Sequence, residues 1–289
     1  MSAIKAIGPN CTLGEGPLWH PKRERLFWFD IIKGDLFSCN AYGEQLRHWN
    51  FGEAASAAGW LDDETLVVAT ESGLQRFDCL NGTWETIAEL EADNKQTRSN
   101  DGRVGPDGSF WIGTMGWNLE KDAGAYYRVL RGKVQPLASP ISIPNATCFS
   151  PDGRMAYLAD TPLQLIWRWP LDENGNPVGE REVHIDLRSE GLNPDGAVCD
   201  AEGYLWNAQW GASRVARYAP DGAFVSAIEF PATQITCPAF GGEDLKTLYV
   251  TSAAEGLSED KLEAEPDAGK VFIVDVDVPG IPEHQIKIQ

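Results

Sequence analysis

A short segment recurs along this chain, and its period constrains the fold more than any other feature. Each copy has a polar residue, a brief apolar stretch, a turn and an apolar strand, as in NDGRVGPDGSFWIGT and NATCFSPDGRMAYLAD. The separation is 45 residues from Asn100 to Asn145 and 50 residues from Asn145 to Asp195. The 85 residues from Glu15 to Asn100 correspond to two repeats of roughly 42, and a period in this range is typical of β-propellers and other repeat arrays.

Strand-like runs dominate the rest of the pattern. Six short runs rich in aromatic and β-branched residues each follow a turn: RLFWFD, TLVVAT, FWIGT, AYLAD, YLWNAQ and TLYVT. A second strand-like run follows each of them, and helical character is confined to residues 255–269, which we expect to be a surface insertion in the last blade. We therefore predict an all-β six-bladed β-propeller, with residues 1–289 forming a single propeller domain. A β-sandwich, which also has many short strands, is the alternative.

The two ends of the chain bear on how such a ring closes. Closure must cover the free edge of the sheet array. Both the leading IKAI and the trailing HQIKI are strand-like. We expect one of them to supply the outer strand of a blade begun at the other end.

Composition excludes several classes of function. The net charge of −19 and the pI near 4.5 argue against binding to nucleic acid or to an anionic membrane surface. The six cysteines are widely spaced without a CxxC motif, which indicates buried thiols. The N-terminus lacks the features of a secretory signal, and no apolar run approaches the ~18 residues of a membrane span. We expect a cytoplasmic protein, monomeric or a small homo-oligomer, with a small-molecule ligand.

Equivalent positions of a propeller face its central channel, so the repeated polar residues converge into one candidate site. Glu15, Asn145 and Asp195 are flanked by glycine or proline, which suits side chains that point into a channel from the start of a strand. Two carboxylates and an amide oxygen suit Ca²⁺, Mg²⁺, Mn²⁺ or Fe²⁺, and Zn²⁺ less well. Taken singly, such residues are usually turn residues. Their common repeat position favours one divalent metal ion with open positions for water and substrate.

Other residues and motifs narrow the chemistry further. Arg98 precedes Asn100 by two residues and can donate paired hydrogen bonds to substrate oxygens if it faces the channel; an ordinary surface arginine is the alternative. Trp117 and Trp210 are candidates for the channel mouth, although most of the 11 tryptophans must lie in the core. The chain has no GxSxG nucleophile motif and no phosphate-binding or dinucleotide fingerprint, and its four histidines form no metal-spaced pair.

The motifs LGEGPLW, RSNDGRVGPDGSFWIGTM and NPDGAVCDAEGYLWNAQWG, with the FSPDGR segment after Asn145, resemble the SMP-30/gluconolactonase/LRE family. The resemblance runs from about Glu15 to Val274, nearly the whole chain. It implies a six-bladed propeller with one divalent metal in the channel and hydrolysis of sugar aldonolactones to aldonic acids. The loops at the channel mouth, including residues 116–123, are expected to set the substrate.

The resemblance also implies roles for individual residues. Glu15, Asn145 and Asp195 would bind the metal, and Arg98 and Asn100 would hold the substrate, with Asn100 near enough to touch the metal or its water. Asp195 would also be the candidate general base, and a water activated by the metal is an equally open description. One departure is that alanine, not the glycine of many relatives, follows Asn145.

Two other functional classes remain open on the sequence. The same metal site serves other electrophiles, so a metal-dependent esterase or phosphotriesterase acting on non-sugar substrates is one alternative. A non-catalytic propeller that binds partners around a structural metal is the other.

Overall fold

The recurring apolar runs form six antiparallel sheets of four strands each in the computed structural model, which describes residues 3–288. One end strand of each sheet is packed against its counterparts in the two adjacent sheets, so these six inner strands surround a central channel. The sheets are therefore the blades of a six-bladed β-propeller, as predicted. We number the blades 1 to 6 in the order of their inner strands.

The inner strands are β2 (Gly14–His20), β6 (Ala55–Trp60), β10 (Thr97–Val104), β14 (Pro144–Phe149), β18 (Asn193–Cys199) and β22 (Ile235–Gly241). The second strands are β3 (Arg25–Asp30), β7 (Thr65–Thr70), β11 (Phe110–Gly116), β15 (Met155–Asp160), β19 (Leu205–Trp210) and β23 (Thr247–Ser252). The third strands are β4 (Asp35–Asn40), β8 (Gly73–Asp78), β12 (Gly124–Leu130), β16 (Leu165–Pro170), β20 (Arg214–Tyr218) and β24 (Val271–Asp275). The outer strands are β5 (Arg47–Asn50), β9 (Thr83–Glu89), β13 (Lys133–Ile141), β17 (Glu182–Asp186), β21 (Phe224–Glu229) and, in blade 6, β1 (Lys5–Ile7).

Blade 6 closes the ring with strands from both ends of the chain. The N-terminal β1 pairs antiparallel with β24, with Ala6 opposite Phe272, and so covers the edge that β24 would otherwise leave free. The strand-like IKAI therefore supplies the outer strand. The HQIKI segment forms no strand and instead lies against blades 2 and 3.

Residues 280–288, here called the C-terminal strap, run beneath the ends of the inner strands. The strap begins at blade 6, where the Gly280 N–H donates to the Leu245 carbonyl at 2.8 Å. It continues to blades 2 and 3, where the Ile286 N–H donates to Trp60 at 3.0 Å and the Lys287 N–H donates to Gly108 at 2.8 Å. The strap thus covers the end of the channel opposite the start of the inner strands.

Apolar side chains fill the spaces between neighbouring blades. One such layer joins Leu18 and Phe29 of blade 1 to Leu66 and Phe77 of blade 2, all buried. All six cysteines are buried free thiols, as predicted.

The helical segment expected in the last blade is short and superficial. Helix α1 (Glu259–Ala264) lies between β23 and β24, has no buried residue, and is capped by the Ser258 side chain, which accepts from the Lys261 N–H. Within residues 3–288 no helix is long and apolar enough to cross a membrane.

A β-bulge interrupts all six inner strands at the same level. The register shifts between Glu15 and Leu18 in blade 1 and between Asn145 and Cys148 in blade 4, and the other four inner strands shift correspondingly. A bulge leaves a residue outside the ladder and re-aims its neighbours. These bulges decide which side chains reach the channel.

Candidate active site in the central channel

The six bulges bring one polar residue from every inner strand to a common level. These residues are Glu15, Ser56, Asn100, Asn145, Asp195 and Thr236, and all are buried. The sequence pattern identified four of the six. Ser56 and Thr236 were missed. Their hydroxyls join blades, because Ser56 donates to the Ser99 hydroxyl at 2.8 Å and Thr236 donates to the Gly14 carbonyl at 2.6 Å.

Glu15 and Asp195 form a buried carboxyl pair. Each is only 5–6% exposed, and the two side chains interact directly. Burial, followed by the charge of Asp101, raises the pKa of Glu15 to about 8. Burial, and then the charges of Glu15 and Asp101, raise the pKa of Asp195 well above its ordinary value. The charge of Arg98 offsets only part of the shift at Glu15, so the two carboxyl groups ionise together only with further positive charge nearby.

Asn145 is held in a fixed orientation beside this pair. Its amide Nδ2 donates to the Thr161 hydroxyl at 2.8 Å, and that hydroxyl donates to the carbonyl of Pro194 at 2.7 Å. Thr161 therefore ties Asn145 to the residue that precedes Asp195. Because the amide nitrogen is engaged, the Oδ1 atom remains the side-chain acceptor of Asn145.

Asn100 and Arg98 extend the site from blade 3. The Asn100 Nδ2 donates to Asn145 Oδ1 at 3.2 Å and to the Pro144 carbonyl at 2.9 Å. The Arg98 Nη1 donates to Asn100 Oδ1 at 2.8 Å. Arg98, Asn100 and Asn145 are thus a chain of hydrogen-bonded side chains that runs from blade 3 to blade 4.

Arg98 is buried rather than a surface arginine. Its exposed fraction is 5%, and burial lowers its pKa to about 10, which leaves the guanidinium charged at neutral pH. The guanidinium carbon lies 5.7 Å from the centre of the Trp117 ring. Its buried Nε has no hydrogen-bond partner among the described residues, so it is a donor available to a ligand.

The tryptophans considered for the channel mouth contact one apolar cluster. Trp117 and Trp210 both pack on the buried side chains of Leu13, Ile31, Ala54 and Ala253, which come from blades 1, 2 and 6. The side of the channel above Arg98 is therefore partly aromatic.

Asp101 and Thr161 were not identified from the sequence. The side chains of successive strand residues point to opposite faces, so alternation places Asp101 away from the face of Asn100. The bulge between Ser99 and Gly102 breaks that alternation, and both side chains are buried at the channel. Thr161 lies in a 3₁₀ turn (Thr161–Leu163) after β15, and only the fold places it beside Asn145.

The side chains fit a hard divalent cation. The described residues contain no group of three or more histidine, cysteine, aspartate or glutamate side chains that could together hold a metal ion. The oxygen donors here are instead two carboxylates and one amide, from Glu15, Asp195 and Asn145. A divalent cation between them would supply the positive charge that the buried carboxyl pair requires, and oxygen-only sets of this kind suit Ca²⁺, Mg²⁺ or Mn²⁺.

Comparisons with known proteins show which family the chain resembles. The profile of the SMP-30/Gluconolactonase/LRE-like region matches residues 13–254. The 6-deoxy-6-sulfogluconolactonase of Pseudomonas putida is 36% identical over 94% of this chain and 94% of its own. The L-arabinolactonase of Azospirillum brasilense is 37% identical over 91% of this chain and 88% of its own.

A crystal structure has the same fold. Regucalcin from Agrobacterium tumefaciens strain C58, described as a calcium-binding protein, superposes with a TM-score of 0.94 at 41% identity, covering 96% of this chain and 94% of that one. The recurring motifs, the six blades and the profile match over most of the sequence lead to one conclusion: this chain belongs to the SMP-30/gluconolactonase/LRE family.

Proposed function

We propose that this protein is a metal-dependent sugar lactonase, which opens the lactone ring of an aldonolactone to give the aldonic acid. The observation that carries the proposal is the buried pair of carboxyl groups from Glu15 and Asp195 beside the oriented amide of Asn145. The names of two similar proteins, a sulfogluconolactonase and an arabinolactonase, support the reaction class.

The residues around the pair have separate tasks in this proposal. Glu15, Asn145 and Asp195 would hold the cation, which when bound supplies Lewis-acid polarisation of the lactone carbonyl. Arg98 and Asn100 would hold the substrate. The Arg98 guanidinium keeps an unused donor for a substrate oxygen. Asn100, whose amide N–H groups already bond to Asn145 and Pro144, would offer its Oδ1 atom to a substrate hydroxyl.

Asp195 is the residue proposed to move the proton. Its carboxylate takes a proton from the water that attacks the carbonyl carbon, and a new carbon–oxygen bond forms. The bond between that carbon and the ring oxygen then breaks, and the proton passes to the ring oxygen. Burial raises the pKa of Asp195, and a bound divalent cation would favour its ionised form, which is the form that accepts a proton.

The test measures the hydrolysis of five-carbon and six-carbon aldonolactones, with proton release as the readout. Chelated protein is assayed first, and Mg²⁺, Ca²⁺, Mn²⁺, Zn²⁺ or Fe²⁺ is then added singly. We expect turnover well above spontaneous ring opening only with a metal present. Circular dichroism on the chelated sample shows whether the fold persists without metal.

A parallel panel of aryl esters and phosphotriesters separates the neighbouring reaction class. Faster metal-dependent turnover on that panel than on every aldonolactone would replace the sugar lactonase with an esterase. Folded protein that accelerates none of these reactions with any metal would leave a binding function.

A further inference from the structure

Two inner strands make the same bulge with different residues. In β2 the residue after Glu15 is Gly16, with φ of +56°, and the next is Pro17, which has no N–H. In β14 the residue after Asn145 is Ala146, with φ of +57°, and the next is Thr147. Alanine is strained in the left-handed region, and a buried Thr147 N–H outside the ladder needs an acceptor.

Asp101 supplies the hydrogen-bond acceptor that the β14 bulge lacks. Its Oδ2 atom accepts the N–H of Thr147 at 2.6 Å, and both residues are buried. The contact crosses from blade 3 to blade 4. It anchors the backbone two residues after Asn145.

Asp101 is also the one charged residue at its level of the channel. The residues that follow the channel polar residue in the other five inner strands are Gly16, Ala57, Ala146, Gly196 and Cys237. A buried carboxylate needs compensation. Part of it comes from Arg103, two residues further along β10, which acts electrostatically on Asp101 and is itself paired with Glu283 of the C-terminal strap.

We propose that Asp101 is a positioning residue of the channel metal site: its carboxylate holds the left-handed turn at Ala146 and thereby presents the Asn145 amide oxygen to the cation. The proposal rests on the metal site proposed above. Asp101 does not bind the cation itself in this view. Its negative charge beside Glu15 and Asp195 adds a smaller attraction for the cation.

The test compares two substitutions by calorimetric titration of Ca²⁺ or Mn²⁺ into chelated and dialysed full-length protein. Asp101→Asn removes the charge but keeps an oxygen that accepts from Thr147. Asp101→Ala removes both. We expect Asp101→Asn to weaken the Kd only a few-fold and Asp101→Ala to weaken it on the order of tenfold more, because the buried Thr147 N–H then has no acceptor.

A second substitution tests the turn itself. Glycine adopts φ near +57° without steric strain, so a bulge with Ala146→Gly needs less support. In the Asp101→Ala background, Ala146→Gly is expected to recover at least about threefold of the lost affinity, while alone it changes the Kd by less than about twofold. Circular dichroism and the Tm of each chelated variant confirm that the compared proteins are folded.

The outcomes separate this inference from the proposed metal site. Equal affinities of the Asp101→Asn and Asp101→Ala proteins, or no recovery with Ala146→Gly, would overturn the positioning role while leaving the metal site in place. Failure of the unchanged protein to bind any of the divalent cations would overturn the metal site and this inference together.

Discussion

Glu15 and Asp195 approach each other from blades 1 and 5, 180 residues apart in sequence, and share a buried position at the channel. Burial and the charges of neighbouring carboxylates favour the protonated forms, and a divalent cation would favour the ionised forms. The protonation of these two residues therefore links the stability of the fold to the pH and to metal binding.

The first prediction concerns the pH dependence of the metal-free protein. The folded pKa of Glu15, about 8, lies above its value of about 4.3 in an unfolded chain. Between those values the folded state binds more protons than the unfolded state, so the free energy of unfolding should fall as pH rises. In chelator the Tm should decline from pH 5 to pH 8, and saturating Ca²⁺ should remove that decline. A Tm in chelator that does not change over this range would show that the pKa values of the pair are not raised in the folded protein.

The second prediction concerns Asp195→Asn. Lactone hydrolysis should fall at least about a hundredfold, because the variant lacks both a ligand and the proposed proton acceptor. The Tm in chelator should rise at pH 8, because the variant no longer has to hold a proton or bury a charge at this position. The exposed Asp186, which pairs with Arg188, provides Asp186→Asn as the control that should leave the hydrolysis rate unchanged. An Asp195→Asn protein with full hydrolysis at saturating metal would refute the assigned role.

At the scale of the element, the bulge determines what an inner strand delivers to the channel. Strand positions could be predicted from the alternation of aromatic and β-branched runs with turns. The bulges could not, because a single extra residue in a strand leaves no compositional mark. That is why Asn100 was identified and its neighbour Asp101 was not.

The third prediction tests the bulge in β2. A Cβ atom on Gly16 would lie 2.1 Å from the backbone oxygen of Ser56, and the φ of Gly16 is +56°. Gly16→Ala should therefore lower the free energy of unfolding by at least about 3 kcal/mol, combining overpacking and backbone strain. Denaturant unfolding measures the loss.

Gly52 provides the matched control for that experiment. Its φ is +75°, and a Cβ atom there would have no neighbour within 4 Å. Gly52→Ala should cost only about 1–2 kcal/mol, which is the backbone term alone. Similar losses for the two variants would mean that the inner strands can move apart to admit a methyl group.

At the scale of the whole molecule, the chain ends complete both the ring and the channel. The strand β1 pairs with β24 to finish blade 6, and the C-terminal strap covers one end of the channel. Ile286 of the strap is buried among Val104 and Phe110. The strap also carries Glu283, which is paired with Arg103.

The fourth prediction concerns that ion pair. The Arg103 and Glu283 side chains are 11% and 9% exposed, so Glu283→Gln would leave a buried guanidinium with a weaker partner. We expect the free energy of unfolding to fall by about 3 kcal/mol, as for other buried pairs that lose one member. Glu182→Gln is the control, because Arg168 and Glu182 are 40% and 66% exposed and such pairs contribute about 0–1 kcal/mol. Urea unfolding measures the free energy of unfolding of both variants. Equal losses would show that water screens the ion pair between Arg103 and Glu283.

The sequence by itself determined the number of blades, the strands within them and four of the six polar residues that meet at the channel. It could do so because each blade repeats one local pattern of turn and apolar strand, and the repeat brings equivalent positions together. Only the tertiary structure decided the pairing of Glu15 with Asp195, the burial of Arg98 and the use of Asp101 and Thr161. These features depend on contacts between blades and on backbone bulges, and neither contact nor bulge follows from the order of residues along one strand.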